Sequence, residues 1–130
     1  MFKILATHVS LDVADLDQAK RYLEASGIQK LRELTRPDGV RVVWYPGLEL
    51  HQVAPNGTVG IVNHVAWEVD DIGEAMRELR ANGVSFEKEQ PSEIDVALLD
   101  HPDRVQFIFF TTPLGLRGEI VQVTPRRGDL

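Results

Sequence analysis

Residues 6–28, ATHVSLDVADLDQAKRYLEASGI, align without a gap on residues 62–84, VNHVAWEVDDIGEAMRELRANGV. His8 falls on His64, Val9 on Val65, Val13 on Val69 and Asp15 on Asp71. Ala19 falls on Ala75, Leu23 on Leu79 and Gly27 on Gly83. Self-similarity at a fixed offset means one supersecondary unit built twice. That excludes most topologies open to a chain of 130 residues, a length that otherwise indicates one domain.

Each copy opens on an alternating strand. In THVSLDV, Val9, Leu11 and Val13 share one face and His8, Ser10 and Asp12 the other. In NHVAWEV, Val65, Trp67 and Val69 oppose His64, Ala66 and Glu68. A helix is predicted next. Asp15 with Gln18, and Asp71 with Glu74, have capping-box spacing. Leu16, Ala19 and Leu23 form one apolar stripe, and Ile72, Ala75, Met76 and Leu79 the other. Gly27 and Gly83 stand where a left-handed helix terminator is wanted. The apolar strand faces therefore pack against these helices, and the histidines point away from them.

Three further strands are expected in each copy, around 30–35, 40–45 and 48–55, then around 84–89, 104–110 and 118–125. The closing strands also align, with Glu49 on Glu119, Gln52 on Gln122, Val53 on Val123 and Pro55 on Pro125. The histidines are 56 residues apart (8 to 64) and the glutamates 70 (49 to 119), so the second copy carries extra residues. They are placed in EKEQPSEIDVALLDHPD, 87–103. The reading is an α+β fold: two tandem βαβββ modules in one domain spanning 1–130. Module 1 covers about 1–55, NGTVG at 56–60 links the modules, and module 2 covers about 61–125.

Composition narrows the function. A net charge of −6 with no extended basic run argues against nucleic acid or an anionic membrane as partner. No cysteine is present, which removes disulfides and thiolate chemistry. MFKILATHV is too short for a signal peptide, and no apolar run reaches membrane-spanning length, so a cytoplasmic location is expected.

A single histidine in a strand is ordinarily structural; a repeated one, joined by a repeated glutamate, is not so easily dismissed. If the copies pack about a pseudo-twofold axis, His8, Glu49, His64 and Glu119 converge. Imidazole and carboxylate suit one divalent metal ion of the Zn, Ni, Co, Mn or Fe class. His51 shares a face with Glu49 and is the reserve for the fourth position; the repeat alignment favours Glu49. His101, in LDHPDR, reads as a turn residue, and Arg41 and Arg104 as surface arginines.

At these residues the sequence resembles the vicinal oxygen chelate superfamily, which includes glyoxalase I, fosfomycin-resistance proteins, extradiol dioxygenases, methylmalonyl-CoA epimerase and bleomycin-resistance proteins. HVSLDVADLDQAKRYLEASGI looks like the family's opening strand and helix. FFTTPLGLRGEIVQV looks like its common ending, with Gly115 four residues before Glu119. The resemblance implies a cupped mixed sheet with outer helices around a metal held by His8, His64, Glu119 and, as in glyoxalase-type members, Glu49. It implies a lyase, isomerase or epimerase acting on a small oxygen-chelating substrate through a metal-stabilised enediolate, with Glu119 and Glu49 as catalytic carboxylates, and a homodimer. Two rivals follow from the same family. One is a ring-cleaving dioxygenase using His8, His64 and Glu119, with Tyr45 or His51 as its acid–base group. The other is a non-enzymatic binder of the bleomycin-resistance kind. The family's acidic DPDG corner is TPLG here, at 112–115, and no glutathione-anchoring set of basic residues is found.

Overall fold

The computed structural model describes residues 1–53, 61–94, 104–113 and 117–124. The first half contains β1 (Ile4–Val13), α1 (Leu16–Ala25), β2 (Arg32–Thr35), β3 (Arg41–Tyr45) and β4 (Leu48–Gln52). The second contains β5 (Ile61–Val69), α2 (Ile72–Ala81), β6 (Ser92–Glu93), β7 (Arg104–Thr111) and β8 (Arg117–Thr124). The order βαβββ thus occurs twice, in an α+β fold whose eight strands form one curled mixed sheet, ordered β2-β3-β4-β1-β5-β8-β7-β6. No helix among the described residues is long and apolar enough to cross a membrane.

The two openings meet at the sheet centre. β1 runs antiparallel to β5, with Val9 opposite Val65, His8 opposite Ala66 and Ser10 opposite His64. The repeat offset carries the first of the flanking pairs onto the second, so the pseudo-twofold axis passes through Val9 and Val65. β4 lies parallel to β1 and β8 parallel to β5, completing the same relation on each side.

Alternation sorts the side chains as the sequence predicts. On the outer face Leu16, Val43, Tyr45 and Leu50 form one core, with Leu11, Val13, Ala19 and Leu23 packed against it. Val69, Ile72, Ala75, Met76, Ile108, Phe110 and Ile120 form the other, beneath α2. Asp15 and Asp71 cap the helices by accepting from the amides of Gln18 and Glu74. The repeated glutamines gain a reason here: Gln52 Oε1 accepts from the Leu16 amide at 2.7 Å, and Gln122 Oε1 from the Ile72 amide at 2.8 Å. Each module's closing strand so satisfies an orphan donor at the start of its own helix. Gly27 and Gly83 both take positive φ, as a helix terminator requires.

One predicted strand is absent. The backbone of residues 84–89 joins the sheet at no more than an isolated Phe86–Phe110 bridge and a Glu87 amide bond to the Phe109 carbonyl. The charged EKEQP stretch then leaves the edge, Pro91 having no amide to donate. The chain returns as β6, where Ser92 and Glu93 pair with β7. The interval 56–60 read as a linker, Pro55, Gly115, Pro125 and His101 lie outside the described residues.

Gly118 is fixed by packing rather than by backbone angle. Its register partner is Phe110, whose ring lies over it. A Cβ at 118 would come within 2.4 Å of that ring. Gly118→Ala is therefore expected to destabilise the protein by about 1–3 kcal/mol in urea unfolding; an unchanged midpoint would contradict this packing.

Candidate metal centre

The inner face carries His8 from β1, Glu49 and His51 from β4, His64 from β5 and Glu119 from β8. These positions alternate with the outer-core residues on each strand, which is why the sheet turns them all to one side. The inner face lines a cavity of ≈ 280 Å³ whose walls include Val42, Val105, Phe107, Phe109 and Val121. His8, His64 and Glu119 are buried, and Glu49 is nearly so.

His8 Nε2 lies 2.9 Å from Glu49 Oε2, and His51 Nε2 lies 2.7 Å from Glu49 Oε1. Burial works against a charge on Glu49, but hydrogen bonds from His51 and His8 outweigh it and hold the carboxyl below the ordinary carboxylate range. The two ring centroids of His8 and His64 are 6.1 Å apart. Ligand atoms of His8, Glu49 and His64 all fall within 4.8 Å of one another. Glu119 stands slightly apart and meets the group through His64, Oε1 to Nε2 at 3.6 Å.

A register shift between Ser10 and Leu11 leaves Asn63 unpaired in the β1–β5 ladder. Asn63 uses this freedom: its Oδ1 sits 2.8 Å from His64 Nδ1. With that oxygen accepting, Nδ1 carries the hydrogen and Nε2 keeps its lone pair toward the cavity. Phe109 meets the same ring edge-on at 5.1 Å.

The donor set fits a divalent ion. Donors held about 2.1 Å from one ion are about 3–4.2 Å apart; His8 and Glu49, at 2.9 Å, stand close to that range, and His64 lies within 4.8 Å of both. Ser10 lies between the two modules' donors. It is fully buried, in register beside both Glu49 and His64, and its hydroxyl makes no hydrogen bond among the described residues. Its counterpart in the repeat, Ala66, sits equivalently beside His8 and Glu119.

Other candidates fall elsewhere. Tyr45, the suggested acid–base group of a dioxygenase, belongs to the α1-side core, because β3 turns Val42 and Trp44 inward and Val43 and Tyr45 outward. Burial raises its hydroxyl pKa further. Arg41 pairs with Asp17 and Glu33, and Arg104 with Glu93, all away from the cavity. The cavity arginines are instead Arg32 and Arg36, with Trp44 beside them. Period-two alternation through 32–36 and 42–44 was the available signal for these residues.

No protein-family model matches the sequence, and no curated protein matches it. Solved structures do match. A hypothetical protein from Bacillus halodurans C-125 aligns at a TM-score of 0.67 and 18% identity, covering 93% of this chain and 94% of that one. Methylmalonyl-CoA epimerase from Mycobacterium tuberculosis aligns at 0.62 and 23% identity, covering 92% and 88%. A variant of the Streptomyces coelicolor methylmalonyl-CoA epimerase, in complex with 2-nitronate-propionyl-CoA, aligns at 0.64 and 18% identity, covering 94% and 98%. With two βαβββ units, one curled sheet and outer helices, the chain has the fold of the vicinal oxygen chelate superfamily that its repeats resemble.

Proposed function

We propose that the protein is a metal-dependent lyase, isomerase or epimerase acting on a small carbonyl compound that chelates through oxygen. The observation that carries this reading is the grouping of His8, Glu49 and His64 within 4.8 Å on the floor of an apolar cavity. The methylmalonyl-CoA epimerases among the structural neighbours support a carbon-acid reaction of this kind.

His8, Glu49, His64 and Glu119 are the residues that would hold a Zn, Ni, Co, Mn or Fe ion. Such an ion would act as a Lewis acid, stabilising negative charge on a substrate oxygen. Two carboxylates and two neutral imidazoles balance its double charge, so the buried site carries no large net charge to desolvate. Glu49 is the fixed carboxylate, since His51 holds its Oε1 and leaves Oε2, the oxygen beside His8, to meet the ion. Glu119 is held more loosely, by His64 at 3.6 Å. It is accordingly the group assigned to take a proton from the carbon beside the substrate carbonyl and return it at its Oε. Val105, Phe107, Phe109 and Val121 keep bulk water from that carboxylate and strengthen its electrostatic interactions. A homodimer, as the superfamily resemblance implies, and the cytoplasmic location expected from the sequence belong to the same proposal.

Protein purified without chelators is expected to contain one divalent ion per chain by elemental analysis. His8→Ala should lose that metal while its melting temperature stays within a few degrees; unchanged metal content would contradict the ligand set. Glu119→Gln should keep bound metal yet lower solvent-deuterium exchange into a 2-oxo or α-hydroxy carbonyl compound by roughly 10²–10⁴-fold. Full exchange in that variant, or catechol-dependent O₂ uptake with iron, would replace this reading.

His51 is assigned to orient Glu49 rather than to bind. His51→Ala should weaken Ni²⁺ binding by about 10–100-fold in calorimetric titration. A complete loss of binding would make His51 a ligand instead.

A further inference from the structure

The pseudo-twofold axis gives each inner-face position a counterpart in the other module. Trp44 is the register partner of Glu49 and Phe109 of Glu119, so each glutamate has an aromatic neighbour. One pair further along the strands the likeness ends. Val42 faces His51 across β3 and β4, whereas Phe107 faces Val121 across β7 and β8. At the sheet edges the Arg36 amide donates to the Val40 carbonyl, and the Ile94 amide in the same way to the Val105 carbonyl. His51 and Arg36 are ion-paired, with Glu49 and Asp38 respectively. Their counterparts, Val121 and Ile94, are apolar, and all four line the cavity.

The second module therefore has an apolar cluster on its inner face. Ala66, Val105, Val121 and Val123 form it, with Ile94 and Phe107 packed against them. Among the described residues the helix-side core is duplicated between the modules, but this inner cluster is not. Same-face pairs along a strand are spaced by about 7 Å. The apolar stripe thus begins beside Glu119 and runs about 14 Å from it, through Phe107–Val121 to Val105–Val123. Glu119 is the carboxylate assigned to proton transfer, which puts the reacting carbon at the start of that stripe.

We propose that the substrate carries an uncharged apolar substituent, an aromatic ring or a branched alkyl chain, on the carbon that exchanges its proton, and that Phe107, Val121 and Val105 receive it. This rests on the function proposed above, which supplies the chelating oxygens and the role of Glu119; the stripe adds a third point of attachment. The cavity of ≈ 280 Å³ stands at the small end of ligand sites, with room for one ring beside the donors. A charged substituent on the same carbon would lose its hydration against this wall and gain no polar partner, so such compounds are rejected.

The test compares acetohydroxamate with phenylacetohydroxamate, which chelate through the same two oxygens and differ by one phenyl ring. Calorimetric titration of the Ni²⁺-loaded protein is expected to show the phenyl compound bound at least 10-fold more tightly. Phe107→Ala should cut that preference about 10-fold and change acetohydroxamate less than 3-fold. Val121→Thr, close to isosteric, should cut the preference at least 3-fold and serves should Phe107→Ala fail to fold. In chelator-stripped protein, toluene, which has no oxygen, should shift the methyl NMR signals of Val105 and Val121 more than those of Leu34 and Val42. Those shifts without any hydroxamate binding would defeat the metal reading and uphold the apolar subsite. Equal affinity for the two hydroxamates, equal weakening of both by Phe107→Ala, or toluene shifts that are absent or strongest at Leu34 and Val42 would overturn the subsite and leave the metal reading standing.

Discussion

The antiparallel contact of β1 with β5 brings the two histidines together. Val9 faces Val65 on the pseudo-twofold axis, and one residue to either side the pairs His8–Ala66 and His64–Ser10 point into the cup. Because side chains alternate with a period of two, a one-residue slip would turn both imidazoles into the helix-packed cores. The outer faces forbid that slip: Leu11 and Val13 in one module, and Trp67 and Val69 in the other, are already committed to the cores beneath α1 and α2. The hydrophobic pattern thus sets the register, and the register sets the site.

The two halves are similar but no longer equal, and the difference is chemical. Ser10 adjoins Glu49 where Ala66 adjoins Glu119. His51 follows Glu49 by two residues on β4, whereas Val121 holds the matching position after Glu119 on β8. One glutamate is consequently fastened from two sides and the other from one. A duplicated scaffold has in this way produced one firmly held carboxylate and one less firmly held carboxylate on the same face, the difference on which the role proposed for Glu119 rests.

Much of the architecture could be read from the repeats, since the signals were local and doubled: alternating strands, capped helices, terminal glycines and the matched histidines. The paired glutamines were visible as an alignment, but their role at the helix starts depends on the parallel closing strands and is a tertiary fact. The segment 84–89 misled because Val84 and Phe86 alternate like a strand while packing against the α2 core; the charges and Pro91 that follow decide where the chain rejoins β7. Tyr45 was misjudged for the site although alternation alone places it with Val43, opposite Trp44. Arg32 drew no attention because an arginine on an edge strand is ordinarily solvated, and only the curl of the sheet and the Trp44 ring make it part of the cavity wall.

The central claim is that symmetry-related histidines from β1 and β5 serve one ion. X-ray absorption at the metal edge, on protein loaded with one equivalent of Ni²⁺, measures this directly. The account predicts a shell of nitrogen and oxygen donors with multiple scattering from two imidazoles, falling to one in His64→Ala. A shell with no imidazole, or one unchanged by that substitution, would contradict it.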